Sequence, residues 1–202
     1  VDLNSAVTLT GDVAIETGDQ AAGTITFHST VDSDANSARA LTLGAGSGDI
    51  TFTGLVGDTK ALAAVTIDEA NNLTINGLRA ASLTQTTGSG TTTFNGGAFT
   101  DLAALADTTE AIAASGNVDI DNEVIKVNDS ITTTATSAGT VTLNATNGLL
   151  TIAAAGDINA DGAVSLTAST GISTAGDITT TGDDVDLNSA VTLTGDVAIE
   201  TG

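Results

Sequence analysis

Along this chain apolar residues come in pairs separated by one polar residue, and the pairs recur at short, near-regular steps. Val1-x-Leu3, Val7-x-Leu9 and Val13-x-Ile15 open the series at a spacing of six. Each pair reads as a short strand with two inward side chains and a polar one between them facing out. On that alternation Ile15 and Thr17 point inward and Ala14 outward. Asn4-Ser5 and Gly11-Asp12 stand between the pairs, and both turn a chain tightly. Three strands in eighteen residues leave no room for hairpin loops. They fit the three sides of one β-helix coil.

The pattern continues through Ile25-x-Phe27, Leu41-x-Leu43, Ile50-x-Phe52, Val65-x-Ile67 and Leu73-x-Ile75, with Asp32 to Ala40 and Gly54 to Ala61 reading as excursions at corners. Leu83 and Phe94 carry it on. Val118-x-Ile120, Ile125-x-Val127, Val141-x-Leu143 and Leu150-x-Ile152 resume it, and Lys126 falls on an outward position. Ile158, Val164, Ile172, Ile178, Val185, Val191 and Val197 then follow at steps of six, eight, six, seven, six and six. Thr100 to Ser115 breaks the alternation. It is rich in Ala, and Asp107-Thr108-Thr109-Glu110 has the form of a capping box, which points to a short helical excursion near residues 100–115. Irregular packing of Leu102, Leu105 and Ile112 is the alternative.

Val185 to Gly202 repeats Val1 to Gly18 without a change, at an offset of 184 residues. The identity suggests a recently copied unit or an excerpt of a longer polymer. Residues 1–184 read as one period of a tandem β-solenoid repeat, and 185–202 as the start of the next identical period. Coils of about twenty residues put about nine to ten coils in each period. One such coil cannot bury its apolar side alone, and stacking supplies both a continuous core and backbone partners. The predicted class is all-β, a parallel β-helix.

Eight Gly-Asp dipeptides punctuate the chain, and five lead straight into a strand: those at Gly11, Gly48, Gly156, Gly176 and Gly195. Gly suits a corner that needs φ > 0, and Asp suits one whose backbone N–H groups need an acceptor.

Composition narrows the class. There is no Trp, Tyr, Cys, Met or Pro, and the only aromatics are Phe27, Phe52, Phe94 and Phe99. A core of Ala, Val, Ile and Leu fits a narrow solenoid. The formal net charge is −21, with twenty-five acids against Arg39, Lys60, Arg79 and Lys126. Nucleic acid and anionic membrane surfaces need clustered cations, so neither is an expected partner. Disulfides and thiolate–zinc sites are excluded without Cys. No window approaches the ~20 apolar residues of a membrane span, and no signal peptide is visible.

The runs AVTLTGDVAIETG, GSGDITFTG, NNLTINGL, ASLTQTTGSGTTTFNGG, GTVTLNA and STAGDITTTGDDV resemble the β-strand repeats of very large bacterial surface proteins. They are similar also to filamentous-haemagglutinin-type exoproteins exported by two-partner secretion. The likeness is one of composition and rhythm and covers nearly the whole chain. It implies a right-handed parallel β-helix, export across an outer membrane, and a role in adhesion or a surface filament. The amino-terminal secretion and capping domain of that family has no counterpart in this sequence.

Candidate chemistry is sparse. Asp157-x-Asn159-x-Asp161-Gly162 matches the first half of a calcium loop, but Ala168 stands where the twelfth-position acid belongs. Asp32-x-Asp34-x-Asn36 has Ser37 in place of Gly, and Asp183-Asp184-x-Asp186 reads as a solvated corner. His28 is the single histidine and falls on an outward position, so it has no partner for metal or base work. Asp119 and Asp121 share an outward strand face beside Glu123, without an aromatic platform for a sugar. The sequon Asn72-Leu73-Thr74 matters only in a eukaryotic secretory setting. Thr91-Thr92-Thr93 and Thr179-Thr180-Thr181 put hydroxyls in outward rows whose register varies from coil to coil.

No nucleophile-plus-base pair is present, so no catalytic, cofactor or metal residue is assigned and enzymatic activity is not expected. No cofactor is required, and Ca²⁺ is the one ion considered. The expected role is a structural repeat of a giant extracellular fibrous surface protein, an adhesin stalk or surface filament. Its expected partner is itself, by end-to-end continuation and lateral bundling, with other cell surfaces or glycans at a distance. A glycan- or Ca²⁺-binding extracellular module and a tandem Ig-like stalk are the alternatives.

Overall fold

The computed structural model describes residues 1–18, 23–35, 37–96, 110–114 (backbone only), 116–134 and 139–202. Short strands wind into a spiral with three faces. Every strand pairing among the described residues is parallel, which excludes the antiparallel Ig-like alternative. The chain is a parallel β-solenoid.

The first face is nine strands deep and runs from Asp2–Leu3, Ile25–Phe27 and Ile50–Phe52 up to Ile172–Thr174 and Val191–Leu193. On the second, Val7, Val31, Val56, Leu78, Ile112, Ile131, Ile158, Ile178 and Ile199 stack in register. On the third, Val13, Leu41, Val65, Leu83, Val118, Val141, Val164 and Val185 do the same. Leu62–Glu69 and Leu78–Gln85 are long enough, at eight residues each, to bend round the corner between the second and third faces. They join those faces into one sheet.

The alternation of the sequence is the alternation of burial. Leu150–Ile152 is buried, half-buried, buried, and so are Ile25–Phe27, Ile50–Phe52 and Leu73–Ile75. Ile15 and Thr17 are half-buried where Ala14 and Glu16 are exposed, as the pattern predicts. Inside, Phe27 stacks on Phe52 with ring centroids 5.0 Å apart and planes 11° from parallel. Aliphatic files fill the rest, and their buried area supplies the main driving force for folding.

Three expectations are corrected. Seven steps on the first face lead from Asp2–Leu3 to Ile172–Thr174, and two further sides reach Val185–Leu187. The 184-residue period is thus seven and two-thirds turns at 24 residues per turn, not nine to ten coils. The corners hold the difference: eight residues separate Glu16 from Ile25 and seven separate Ser33 from Leu41, where three separate Leu3 from Val7. The corner excursions are also shorter than expected, since Val31–Ser33 is a strand that takes in Asp32 and Ser33, and Val56 bridges Val31 and Leu78.

The helical excursion is the third. Among the described residues there is no helix, and Glu110–Ala114 is a strand whose Ile112 pairs with Leu78 on one side and Ile131 on the other. Two waiting parallel neighbours outweigh the helix preference of Ala. Residues 100–109 and 115 lie outside the described residues.

Candidate functional site

A carboxylate contact from one turn to the next recurs at the corners. The Asp157 carboxylate accepts the backbone N–H of Asp177 at 2.9 Å, and Asp177 accepts that of Ala198 at 2.7 Å. Asp12 receives Ala40 N–H at 3.0 Å, and Asp49 receives Asn72 N–H at 3.0 Å. These are four of the five Gly-Asp dipeptides that lead into strands. Each carboxylate reaches the N–H one turn later in the spiral rather than one nearby in sequence. Charge-assisted bonds of this kind are stronger than neutral ones, and they tie turn to turn where strand pairing stops.

The glycines of the same dipeptides act differently from expectation. Positive φ belongs to Gly18, Gly57 and Gly182, whose dipeptides do not lead straight into strands. At Gly156 a Cβ would lie 2.4 Å from the Val127 carbonyl oxygen, and at Gly176 2.7 Å from that of Ala153. Gly is needed there because the neighbouring turn passes too close for a side chain.

Two outward files of hydroxyls run along the rod. On the first face Thr26, Thr51, Thr74 and Thr93 stand in register, followed by Lys126, Thr151, Ser173 and Thr192. On the third face Thr42, Thr66 and Thr84 precede Asp119, Thr142, Ser165 and Asp186. Single Thr positions on these two faces thus keep register from turn to turn, interrupted at Lys126 and Asp119. They keep it because every turn meets the face with the same inward-outward-inward triplet. The outward reading of the Thr runs is half right: Thr92 and Thr180 point inward and are buried, while Thr93 and Thr179 face out.

The interior holds a polar network of side chains that the alternation alone does not reveal. Thr92 donates its hydroxyl to the Gln85 side-chain oxygen Oε1 at 2.5 Å, and the Asn122 amide donates to Thr92 Oγ1 at 2.8 Å. Asn122 Oδ1 accepts Gly90 N–H at 3.0 Å. All three side chains are at most 1 % exposed. A polar residue at an inward position of the alternation was the available signal. Also missed was an exposed asparagine ladder, Asn128 to Asn95 at 3.0 Å and Asn95 to Asn76 at 3.1 Å. Its signal is an Asn directly after Ile75, Phe94 and Val127, the last residues of three stacked strands.

The residues singled out for chemistry do not converge. Asn159 faces out from strand Ile158–Ala160 between Thr132 and Thr179, while Asp157 is committed to Asp177. Asp161 donates its N–H to Thr133 and its carbonyl accepts the Thr181 hydroxyl at 2.6 Å. The segment thus includes the extended strand Ile158–Ala160. Asp32 accepts Thr59 and Lys60 N–H groups, Asp34 pairs with Arg39 at 2.8 Å, and Asn36 lies outside the described residues. Asp183 and Asp184 are exposed at a corner, while Asp186 faces out from the strand Val185–Leu187. His28 is exposed and meets Asp2 at 2.7 Å. The Asn72 amide is held by Asp49 at 2.9 Å, a poor position for a glycan.

Asp119 and Asp121 do share an outward face. Burial first, and the Asp121 charge second, raise the Asp119 carboxyl above its ordinary range. Asp121 accepts the Asn144 amide at 2.6 Å. Glu123 follows at the strand's end. Among the described residues no three His, Cys, Asp or Glu side chains are grouped to hold a metal ion, and no helix is long and apolar enough to cross a membrane.

Fold and surface together define a class: a β-solenoid built of a tandem repeat, with its ordered polar features spread along the stack. No family model, curated protein or solved structure matches the chain.

Proposed function

We propose that this chain is a structural repeat of a giant extracellular fibrous surface protein, an adhesin stalk or surface filament. One observation carries the proposal. The identical segments Val1–Gly18 and Val185–Gly202 lie at opposite ends of one solenoid, each in register with its neighbouring turn. A fold whose end repeats its beginning extends without a new interface at each unit. The high negative charge keeps such a rod soluble and spaced from its neighbours.

On this proposal the protein is exported, works outside the cell, and has no reaction to catalyse. Its role is reach: to hold a tip or partner away from the cell surface. An antibody raised against the chain should label intact cells of the source organism, and external protease should remove the label. Labelling only after the cells are opened would sink the proposal. The hydroxyl files favour one alternative, a unit that binds glycan. A glycan array probed with the isolated chain separates the two, and tight, saturable binding would favour the module.

A further inference from the structure

The eighteen repeated residues sit on different faces at the two ends. Asp2–Leu3 belongs to the first face, Val7–Leu9 to the second and Val13–Glu16 to the third. In the second copy the strands Val185–Leu187, Val191–Leu193 and Ile199–Thr201, the last a duplicate of Ile15–Thr17, belong to the third, first and second. The spiral has lost a third of a turn over one period.

Between them the two copies show both neighbours of the same eighteen residues. The first copy is covered from above: Leu3 by Phe27, Val7 by Val31 and Ile15 by Leu43. The second is supported from below, Leu187 on Leu166, Val191 on Ile172 and Ile199 on Ile178. Inward residues stay inward in both. The upper side of the second copy is bare. Leu193 is 58 % exposed where its duplicate Leu9 is 3 % exposed. Asp196, the duplicate of Asp12, accepts no N–H among the described residues, where Asp12 accepts that of Ala40. In a continuing array the segment from Ile25 to Gly44 of the next period would cover this bare end, as those strands cover the first copy here.

We infer that successive periods stack with a one-third-turn offset, so that one side of the rod presents the third, first and second faces of consecutive periods in turn. This rests on the tandem-rod proposal and adds its symmetry. Each period advances the rod by about 37 Å, taking about 4.8 Å per turn, and three periods restore the starting face. The hydroxyl files of the third and first faces then join end to end through Asp186. Any partner that reads them meets them on all three sides of the rod, staggered by one period.

The test is disulfide mapping in the full chain extended beyond Gly202 by a second period. A link between Asp186→Cys and Thr26→Cys of the added period reports that the solenoid continues. Its absence overturns the rod proposal and the offset with it. The phase is reported separately. Ser165→Cys with Asp186→Cys, and Ser173→Cys with Thr192→Cys, should oxidise nearly completely. If Asp186→Cys links instead to Ser173→Cys, and Thr192→Cys to Thr179→Cys, both periods start on the same face. The rod would then stand and the offset would fall.

Discussion

The carboxylate of Asp157 accepts the backbone N–H of Asp177 at 2.9 Å, although twenty residues separate the two. Asp177 repeats the contact to Ala198, so the corner is a column of carboxylates each holding the turn beyond it. Asp177→Ala should lower stability by about 1 kcal/mol, the usual net worth of one hydrogen bond, because this one is exposed to water. Asp177→Asn, which keeps an acceptor oxygen, should lose less. Urea unfolding of both variants decides it, and equal losses would mean that the contact is incidental.

Gly156 and Gly11 stand in the same dipeptide but in different surroundings. A Cβ on Gly156 meets the Val127 carbonyl oxygen at 2.4 Å, while one on Gly11 meets nothing within 4 Å. Gly156→Ala should lower the melting temperature clearly, because backbone would have to move. Gly11→Ala should be near neutral. A mild effect at Gly156 would contradict the close approach of turns.

Thr92 joins Gln85 and Asn122 inside the core. Thr92→Val preserves shape and removes both bonds, leaving two buried amides short of a partner at a cost of about 1–3 kcal/mol. Thr93→Val, one residue along and facing out, should change stability little. Denaturant midpoints of the pair give the comparison.

Asp119 is raised by burial and by Asp121, so the folded state binds its proton more tightly than the unfolded state does. Its contribution is neutral below the ordinary carboxylate pKa of about 3.9. Stability is then lost as the pH rises through the interval up to the folded value. Asp119→Asn should therefore stabilise the chain at neutral pH and give no gain in acid. A stability difference that does not change with pH would contradict this assignment.

Much of this fold was legible as rhythm. Ile25-x-Phe27, Leu150-x-Ile152 and the closing series from Ile158 to Val191 all mark real strands, because two apolar residues around one polar residue are what a half-buried parallel strand needs. Strands with a single apolar anchor were harder to see. Val31 stands alone among Asp32, Ser33 and Asp34, so two rungs of the second face fall where the alternation reads as corner, and Ile131, alone among Ser130 and Thr132, gives no strand signal. The number of turns depends on corner length, for which alternation carries no signal. The surface ladders were hidden for a related reason: their partners lie 19 to 33 residues apart, with the interval set by each turn's own corners.

The most direct measurement is the oxidation pattern of paired cysteines in the unextended chain. Thr151→Cys with Ser173→Cys, and Thr142→Cys with Ser165→Cys, should each form a disulfide, since in-register parallel neighbours about 4.8 Å apart fall within disulfide reach. Cross-links from Thr151→Cys to Asn159→Cys on the next strand in sequence would instead describe a chain folded back on itself, and the spiral would be wrong.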